Sequence, residues 1–115
     1  MRVRPRTHAP GPSSLAYLPA VDTIMLFVWD ETKRRTNLQK HGIDFAYAER
    51  ILAGITLTAE DNREAYGERR FLSLGLLDDQ VVSIAHTEHD EEIRIISIRT
   101  ATKREAHFYF SQIIN

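Results

Sequence analysis

The sequence contains no cysteine, which excludes disulfide scaffolds, thiolate zinc sites and cysteine nucleophiles and makes a reducing cytoplasm the expected location. No apolar run approaches the roughly 18 residues that a membrane-spanning helix needs, so we expect no membrane span. Neither sign of charge is in excess, because 15 Lys and Arg stand against 16 Asp and Glu. A protein that coats nucleic acid through bulk positive charge is therefore not expected, and any basic surface must be local.

Several motifs are also absent from the sequence. It has no glycine-rich phosphate loop, no Ser-His-Asp nucleophile motif and no EF-hand. No set of histidines and carboxylates has convincing metal-ligand spacing, so we expect neither a metal nor a cofactor. What remains is a chain of 115 residues, 43% hydrophobic and 27% charged, which is typical of one folded domain.

Proline is confined to the first 24 residues. This segment shows neither helical nor strand periodicity, and each proline removes a backbone donor. We therefore predict that residues 1–24 form a disordered or non-native arm, that the folded domain covers residues 25–115, and that Met25 is the initiator.

The pattern after Met25 predicts the order β-α-α-β-β-β-β-α. Apolar and alternating segments predict strands over Leu26 to Trp29, Ile55 to Ala59, Arg70 to Leu77, Gln80 to Glu88 and Ile93 to Arg99. Capping residues and helical spacing predict helices over Glu31 to His41, over Phe45 to Ala53 and after a cap at Thr100 or Thr102. Consecutive strands indicate an α+β domain, with helices packed on one face of a mostly antiparallel sheet.

The last predicted strand is unusually basic. Arg94 and Arg99 flank an apolar run, and Lys103 and Arg104 follow closely. Guanidinium groups match phosphate geometry, so this segment favours phosphate binding. The alternative is that the arginines form ion pairs with neighbouring acids.

A histidine and a carboxylate lie near the end of the preceding strand. His86 and Glu88 are candidates for acid–base chemistry, although a buried histidine with a structural role fits equally well. Their position relative to the arginines depends on the turn at Asp90. A two-residue turn places His86 on the face of Arg99, and a three-residue turn places His86 and Glu88 on the face of Arg94. The sequence leaves both open.

The first predicted helix carries a polar, partly basic stripe. Lys33, Lys40 and His41 recur at helical spacing, and Arg70 lies at the start of a strand. We interpret these four residues as candidate RNA contacts. A solvated helix face is the competing interpretation.

Read together, these segments resemble the BrnT family of toxins from bacterial type II toxin–antitoxin systems. The most specific blocks are the helix end Lys40-His41-Gly42-Ile43-x-Phe45 and the strand Arg94-Ile-Ile-Ser97-x-Arg99. The resemblance extends over about residues 26–110 and includes Phe27-Val-Trp29-Asp30, Asp61-x-Arg63, Gly67-Glu68-x-Arg70, His86-Thr87 and Glu105.

The resemblance implies a compact RelE/ParE-like domain and a metal-independent endoribonuclease that cleaves RNA and inhibits translation. It implies a BrnA-like ribbon-helix-helix antitoxin as partner, with operator DNA contacted only through the antitoxin complex. Metal-free RNA cleavage needs proton transfer and stabilisation of charge on phosphate. We assign the charge to Arg94 and Arg99, and proton transfer to His86 and Glu88.

Two other classes of function stay open. The chain is alternatively a ParE-like toxin that poisons a DNA-processing enzyme, or a non-catalytic co-repressor that acts through protein partners. An RNA cleavage assay discriminates between these alternatives and a ribonuclease.

Overall fold

The computed structural model describes residues 2–4 and 25–114, and these form a mixed α+β fold, as predicted. The strands are β1 (Arg2–Arg4), β2 (Leu26–Trp29), β3 (Thr56–Glu60), β4 (Arg70–Leu77), β5 (Gln80–His89) and β6 (Glu92–Thr100). The helices are α1 (Glu31–His41), α2 (Ala48–Leu52) and α3 (Lys103–Ile113). A 3₁₀ turn, Phe45–Tyr47, occupies the start of the predicted second helix.

The strands form one sheet in the order β1-β3-β4-β5-β6-β2. Strand β2 runs parallel to β6, and the other neighbouring strands are antiparallel. Strand β1 was not expected, because it lies in the segment predicted to be outside the fold. Arg2 pairs with Thr58 and Arg4 with Thr56, so these residues extend the sheet beyond β3. Residues 5–24 of the predicted arm lie outside the described residues.

Local signals in the sequence fix the ends of the helices. The side chain of Asp30 accepts a hydrogen bond from the Lys33 amide at 3.0 Å and caps α1. Helix α1 ends at Gly42, whose φ of 75° favours glycine. Thr102 and Glu105 form a reciprocal capping box at the start of α3.

The two faces of the sheet are covered by different helices. We name the α2 face after the helix that packs on Val82, Ile84 and Ile95. The α3 face is the opposite one, where Tyr109 packs on Leu74 and Val81.

The prediction that all helices pack on one face is therefore wrong. The physical reason lies in β5, where the consecutive residues Val81 and Val82 are both buried and point to opposite faces. Each face then needs its own apolar cover. On the α2 face, helix α2 approaches β4 so closely that a Cβ at Gly75 would lie 2.9 Å from an Ile51 methyl group.

Candidate functional site

A bulge in β6 decides which side chains share a face of the sheet. The β5–β6 hairpin has a two-residue turn, since His89 pairs with Glu92, and Asp90 adopts a left-handed φ of 54°. Further along, Ile95 pairs with His86 but Ser97 pairs with Ala85, which leaves Ile96 as an extra residue. Regular alternation would separate Arg94 and Arg99, five residues apart, onto opposite faces. The bulge instead places both arginines on the α3 face.

Small side chains form the floor between these two arginines. Arg94 lies opposite Thr87 on β5, and Arg99 lies opposite Ser83. Ala85 and Ser97 pair with each other midway between them. At about 3.3 Å per residue, the two arginine positions are about 13 Å apart. We call this surface the arginine trough: Arg94 and Arg99 at its ends, Ala85, Thr87 and Ser97 as its floor, and Arg63 and Arg70 beside it.

At one end of the trough, a single carboxylate joins two arginines. Arg94 Nη2 donates to both oxygens of Glu68, at 2.6 and 2.7 Å, and Arg70 Nε donates to Glu68 Oε2 at 3.3 Å. The guanidinium of Arg70 also lies 4.1 Å above the Tyr66 ring. Arg94 lowers the pKa of Glu68 by hydrogen bonding, so this carboxylate is ionised at neutral pH.

At the other end, Arg99 forms a two-pronged ion pair. Its Nη1 and Nη2 donate to Glu105 Oε1 and Oε2 at 2.8 and 3.0 Å. Hydrogen bonding from Arg99 is the main reason that the pKa of Glu105 falls to about 2. The same bonds raise the pKa of Arg99, and the nearby positive charge of Arg63 opposes that shift.

Arg63 itself is held by Asp61 and projects into solvent. Its Nε and Nη2 donate to the two oxygens of Asp61, each at 2.8 Å. Asp61 is buried, accepts a further bond from Tyr66 at 3.1 Å, and has a pKa well below its usual range because of Arg63. Four arginines and three carboxylates thus leave the trough with a surplus of positive charge.

His86 and Glu88 do not join the arginines. Both alternate onto the α2 face, where His86 is fully buried. His86 Nε2 lies 2.8 Å from the Ser73 hydroxyl, which in turn lies 2.7 Å from the hydroxyl of Thr58. His86 Nδ1 lies 3.5 Å from Glu88 Oε2. The sheet therefore separates the predicted acid–base pair from the predicted phosphate-binding pair.

The predicted contacts on α1 line a groove along the edge of β6. Lys33, Lys40 and His41 border a cavity of about 260 Å³ together with Ile96 and Ser97. An adjoining cavity of about 300 Å³ is bordered by Lys33 and Arg94. Lys33 thus connects the groove with the arginine trough.

A single amide side chain holds α1 at this edge of the sheet. Asn37 donates to the Ile98 carbonyl at 2.8 Å and accepts from the Ile98 amide at 3.1 Å, as a neighbouring strand would. A third bond, to the Ile43 carbonyl at 3.1 Å, ties the end of the helix to the same point. These bonds join α1, one side of the basic groove, directly to β6, the other side.

Sequence reasoning missed four charged members of the candidate site. Asp61, Arg63, Glu68 and Glu105 all contribute to the trough or its ion pairs, yet none was selected as a site residue. The signal was present, because all four belong to the motif blocks that carry the family resemblance. Acidic residues are easily set aside when only cations that could bind phosphate are sought.

The described part of the chain shows neither a cluster of metal-ligating side chains nor a membrane-spanning helix. Within residues 2–4 and 25–114, no three or more His, Asp or Glu side chains are grouped in a way that could hold a metal ion. None of the helices in that part has the length and apolar character to cross a lipid bilayer.

Comparison with known proteins identifies a family for this chain. The family described as "Ribonuclease toxin, BrnT, of type II toxin-antitoxin system" matches residues 29–105, which is more than half of the chain. No curated protein matches the sequence. The matched range contains α1, the loop that carries Arg63, the whole of β4 to β6, and Glu105.

Proposed function

Because this chain belongs to the BrnT family of ribonuclease toxins from type II toxin–antitoxin systems, we propose that it is a metal-independent endoribonuclease whose active surface is the arginine trough. The observation that carries the proposal is the bulge at Ile96, which brings Arg94 and Arg99 to one face of the sheet. Bulges recur beside active sites because they redirect side chains. The α+β fold also agrees with the RelE/ParE-like domain that the family resemblance implies.

Arg94 and Arg99 are the proposed phosphate-binding residues. Arg99 presents both terminal nitrogens to a carboxylate, and the same fork fits two oxygens of a phosphate. Arg94 presents one terminal nitrogen to both oxygens of Glu68 and offers the same donor to a phosphate.

The RNA 2′-oxygen attacks the neighbouring phosphorus as its proton is removed, and the bond from phosphorus to the 5′-oxygen breaks. The products are a 2′,3′-cyclic phosphate and a 5′-hydroxyl, which takes its proton from water. Negative charge grows on the phosphate oxygens during this step. Arginines that turn from their carboxylates to this phosphate stabilise the growing charge.

Glu68 is the proposed proton acceptor for the 2′-hydroxyl. While Arg94 and Arg70 hydrogen bond to it, its lowered pKa makes it a weak base. When a phosphate takes over the arginine donors, that stabilisation is lost and the proton affinity of Glu68 increases. His86 is fully buried on the other face, so we give it a structural role and assign none of the proton transfer to it.

The rest of the RNA would follow the basic groove. Lys33, Lys40 and His41 continue from the arginine trough along the edge of β6, and Arg70 adds a cation on the trough side. The net charge of the chain is only −1, so affinity for RNA must come from such a local arrangement.

Membership of a type II toxin–antitoxin family implies a protein antitoxin. We propose that this partner is a BrnA-like ribbon-helix-helix protein that neutralises the toxin, and that operator DNA is contacted only through the antitoxin complex. Cleavage of RNA by the free toxin would inhibit translation.

An RNA cleavage assay in the presence of EDTA tests the proposal. We expect the purified chain to cut single-stranded RNA under these conditions, and we expect the antitoxin encoded beside it to stop the reaction. Loss of all cleavage with EDTA, restored by one divalent cation, would show a metal-dependent enzyme. If expression of the chain arrests cell growth, but the purified chain cleaves no RNA either with EDTA or with a divalent cation, a ParE-like toxin acting on a protein target is favoured.

A further inference from the structure

A cavity of about 350 Å³ lies between α3 and the sheet, immediately beside Arg99. It is lined by Leu72, Leu74, Ser83, Arg104, Glu105 and Phe108. Its volume is at the small end of the range for ligand pockets, about 300 to 1,000 Å³. The lining is largely apolar, with a small number of polar groups, as expected for a site that takes a flat aromatic ligand.

The position of the cavity links it to the phosphate-binding end of the trough. Ser83 pairs directly with Arg99 across β5 and β6, and Glu105 is the ion-pair partner of Arg99. Any RNA whose phosphate lies on Arg99 therefore has an adjoining nucleoside within reach of the cavity.

Two polar side chains of the cavity have hydrogen-bond donors that they could offer to a ligand. Ser83 is only 3% exposed, and its hydroxyl has no hydrogen-bond partner in the described part of the chain. Arg104 is exposed and forms no ion pair with residues 25–114. The third group, Glu105, already accepts bonds from Arg99 and from the Thr102 amide.

From this arrangement we infer that the cavity is a nucleobase pocket that selects the base next to the cleaved phosphate, with guanine preferred. Phe108, which is 40% exposed, offers a ring for stacking, and such stacking accepts any base. Preference among bases then comes from Arg104, because an arginine fork matches the N7 and O6 acceptors of guanine. The inference rests on the proposed ribonuclease function and adds sequence preference to it.

Binding of mononucleotides tests the pocket without requiring catalysis. We expect guanosine 3′-monophosphate to bind at least about tenfold more tightly than uridine 3′-monophosphate or inorganic phosphate, since one bidentate contact discriminates by that order. Arg104→Ala should remove the guanosine preference, and Phe108→Ala should weaken both nucleotides relative to phosphate. Lys103→Ala is the matched control, because it removes the same charge one residue earlier on α3, outside the cavity; it should keep the preference.

Mapping of cleavage sites on an RNA of mixed sequence provides the second measurement. Wild-type cuts should cluster beside guanosine, and Arg104→Ala should spread them over all four bases. The proposed nucleobase pocket is overturned if the two nucleotides and phosphate bind equally well, or if the guanosine preference is retained in Arg104→Ala. This holds even where the protein cleaves RNA. Such a result would fit a groove that receives an apolar protein segment. Selective nucleotide binding without RNA cleavage would retain the pocket and overturn the proposed function.

Discussion

The two faces of one sheet differ in the side chains that they carry. On the α2 face, Val82, Ile84 and Ile98 are fully buried, and the polar His86 is bonded to Ser73 within the core. On the α3 face, alternate residues of the same strands carry arginines with partly exposed side chains, 45% for Arg94 and 38% for Arg99. Substitutions of the buried residues on the α2 face should therefore change the free energy of unfolding, and substitutions of the trough arginines should change catalysis.

Two glutamates on opposite faces offer the sharpest test of this division. Glu68→Gln removes the proposed proton acceptor, and we expect RNA cleavage to fall by about a hundred- to ten-thousand-fold. Glu88→Gln is the matched control on the α2 face and should leave the rate close to that of the wild type. Rates are measured on protein shown to be folded by circular dichroism. The reverse pattern, with Glu88 essential and Glu68 dispensable, would assign proton transfer to the α2 face.

Truncation of a core residue should affect only stability. Ile84→Ala leaves a cavity in the α2 face, and we expect the free energy of unfolding to drop by about 2 to 5 kcal/mol. Urea denaturation measures this loss. Cleavage per folded molecule at low temperature should be unchanged, and a specific loss of activity there would show that the two faces are coupled.

Removal of a trough arginine should have the opposite signature. Arg99→Ala should slow cleavage by an amount equivalent to about 2.7 to 4 kcal/mol, by analogy with a lost oxyanion donor. Its ion pair is partly exposed, so the free energy of unfolding should change by about 1 kcal/mol or less. Arg94→Ala should behave in the same way.

The control for these arginines is Arg50→Ala, which removes an exposed arginine paired with Asp78, away from the trough. This variant should retain full activity. If a stable Arg99→Ala protein cleaves RNA at the wild-type rate, Arg99 is a solvated surface residue and not part of the active surface.

His86→Ala examines the buried histidine directly. The change leaves the buried Ser73 hydroxyl without its nitrogen partner, so we expect a loss of about 1 to 3 kcal/mol in the free energy of unfolding. The rate of cleavage by the remaining folded protein should not depend on this residue. A fully stable but inactive variant is the result that would return His86 to the catalytic machinery.

The smallest expected effect is the contribution of Glu105 to stability at low pH. Its folded-state pKa of about 2 lies below the ordinary glutamate pKa of 4.5, so the unfolded chain takes up a proton first as pH falls. The stabilisation is complete above about 4.5 and is lost as pH falls toward about 2.

We expect this contribution to be below about 1 kcal/mol, because the pair is partly open to solvent. Urea denaturation across this acid range, for the wild type and for Glu105→Gln, measures the difference. If the free energy of unfolding of the variant depends on pH in the same way as that of the wild type, the ion pair between Arg99 and Glu105 does not contribute to stability.

The sequence by itself determined the local structure of the domain. Asp30 and Gly42 marked helix ends that the structure has, and Thr102 is one of the two predicted caps of the last helix, because caps depend on neighbouring residues only. The mixed α+β class and the strands of the β4–β5 hairpin also followed from patterns within short segments. The trough cations Arg70, Arg94 and Arg99 were selected for their residue type, and the structure places them on one face.

Only the tertiary structure decided how these pieces combine. The bulge at Ile96 arises from the pairing of β6 with β5, and it reverses the face of every residue beyond it, so Arg99 joins Arg94 and not His86. The burial of His86, the pairing of β1 with β3 and the cover of the second face by α3 depend on residues far apart in the chain. Periodicity reports the alternation within one strand, but register is a property of two strands, and here register determined which side chains form the site.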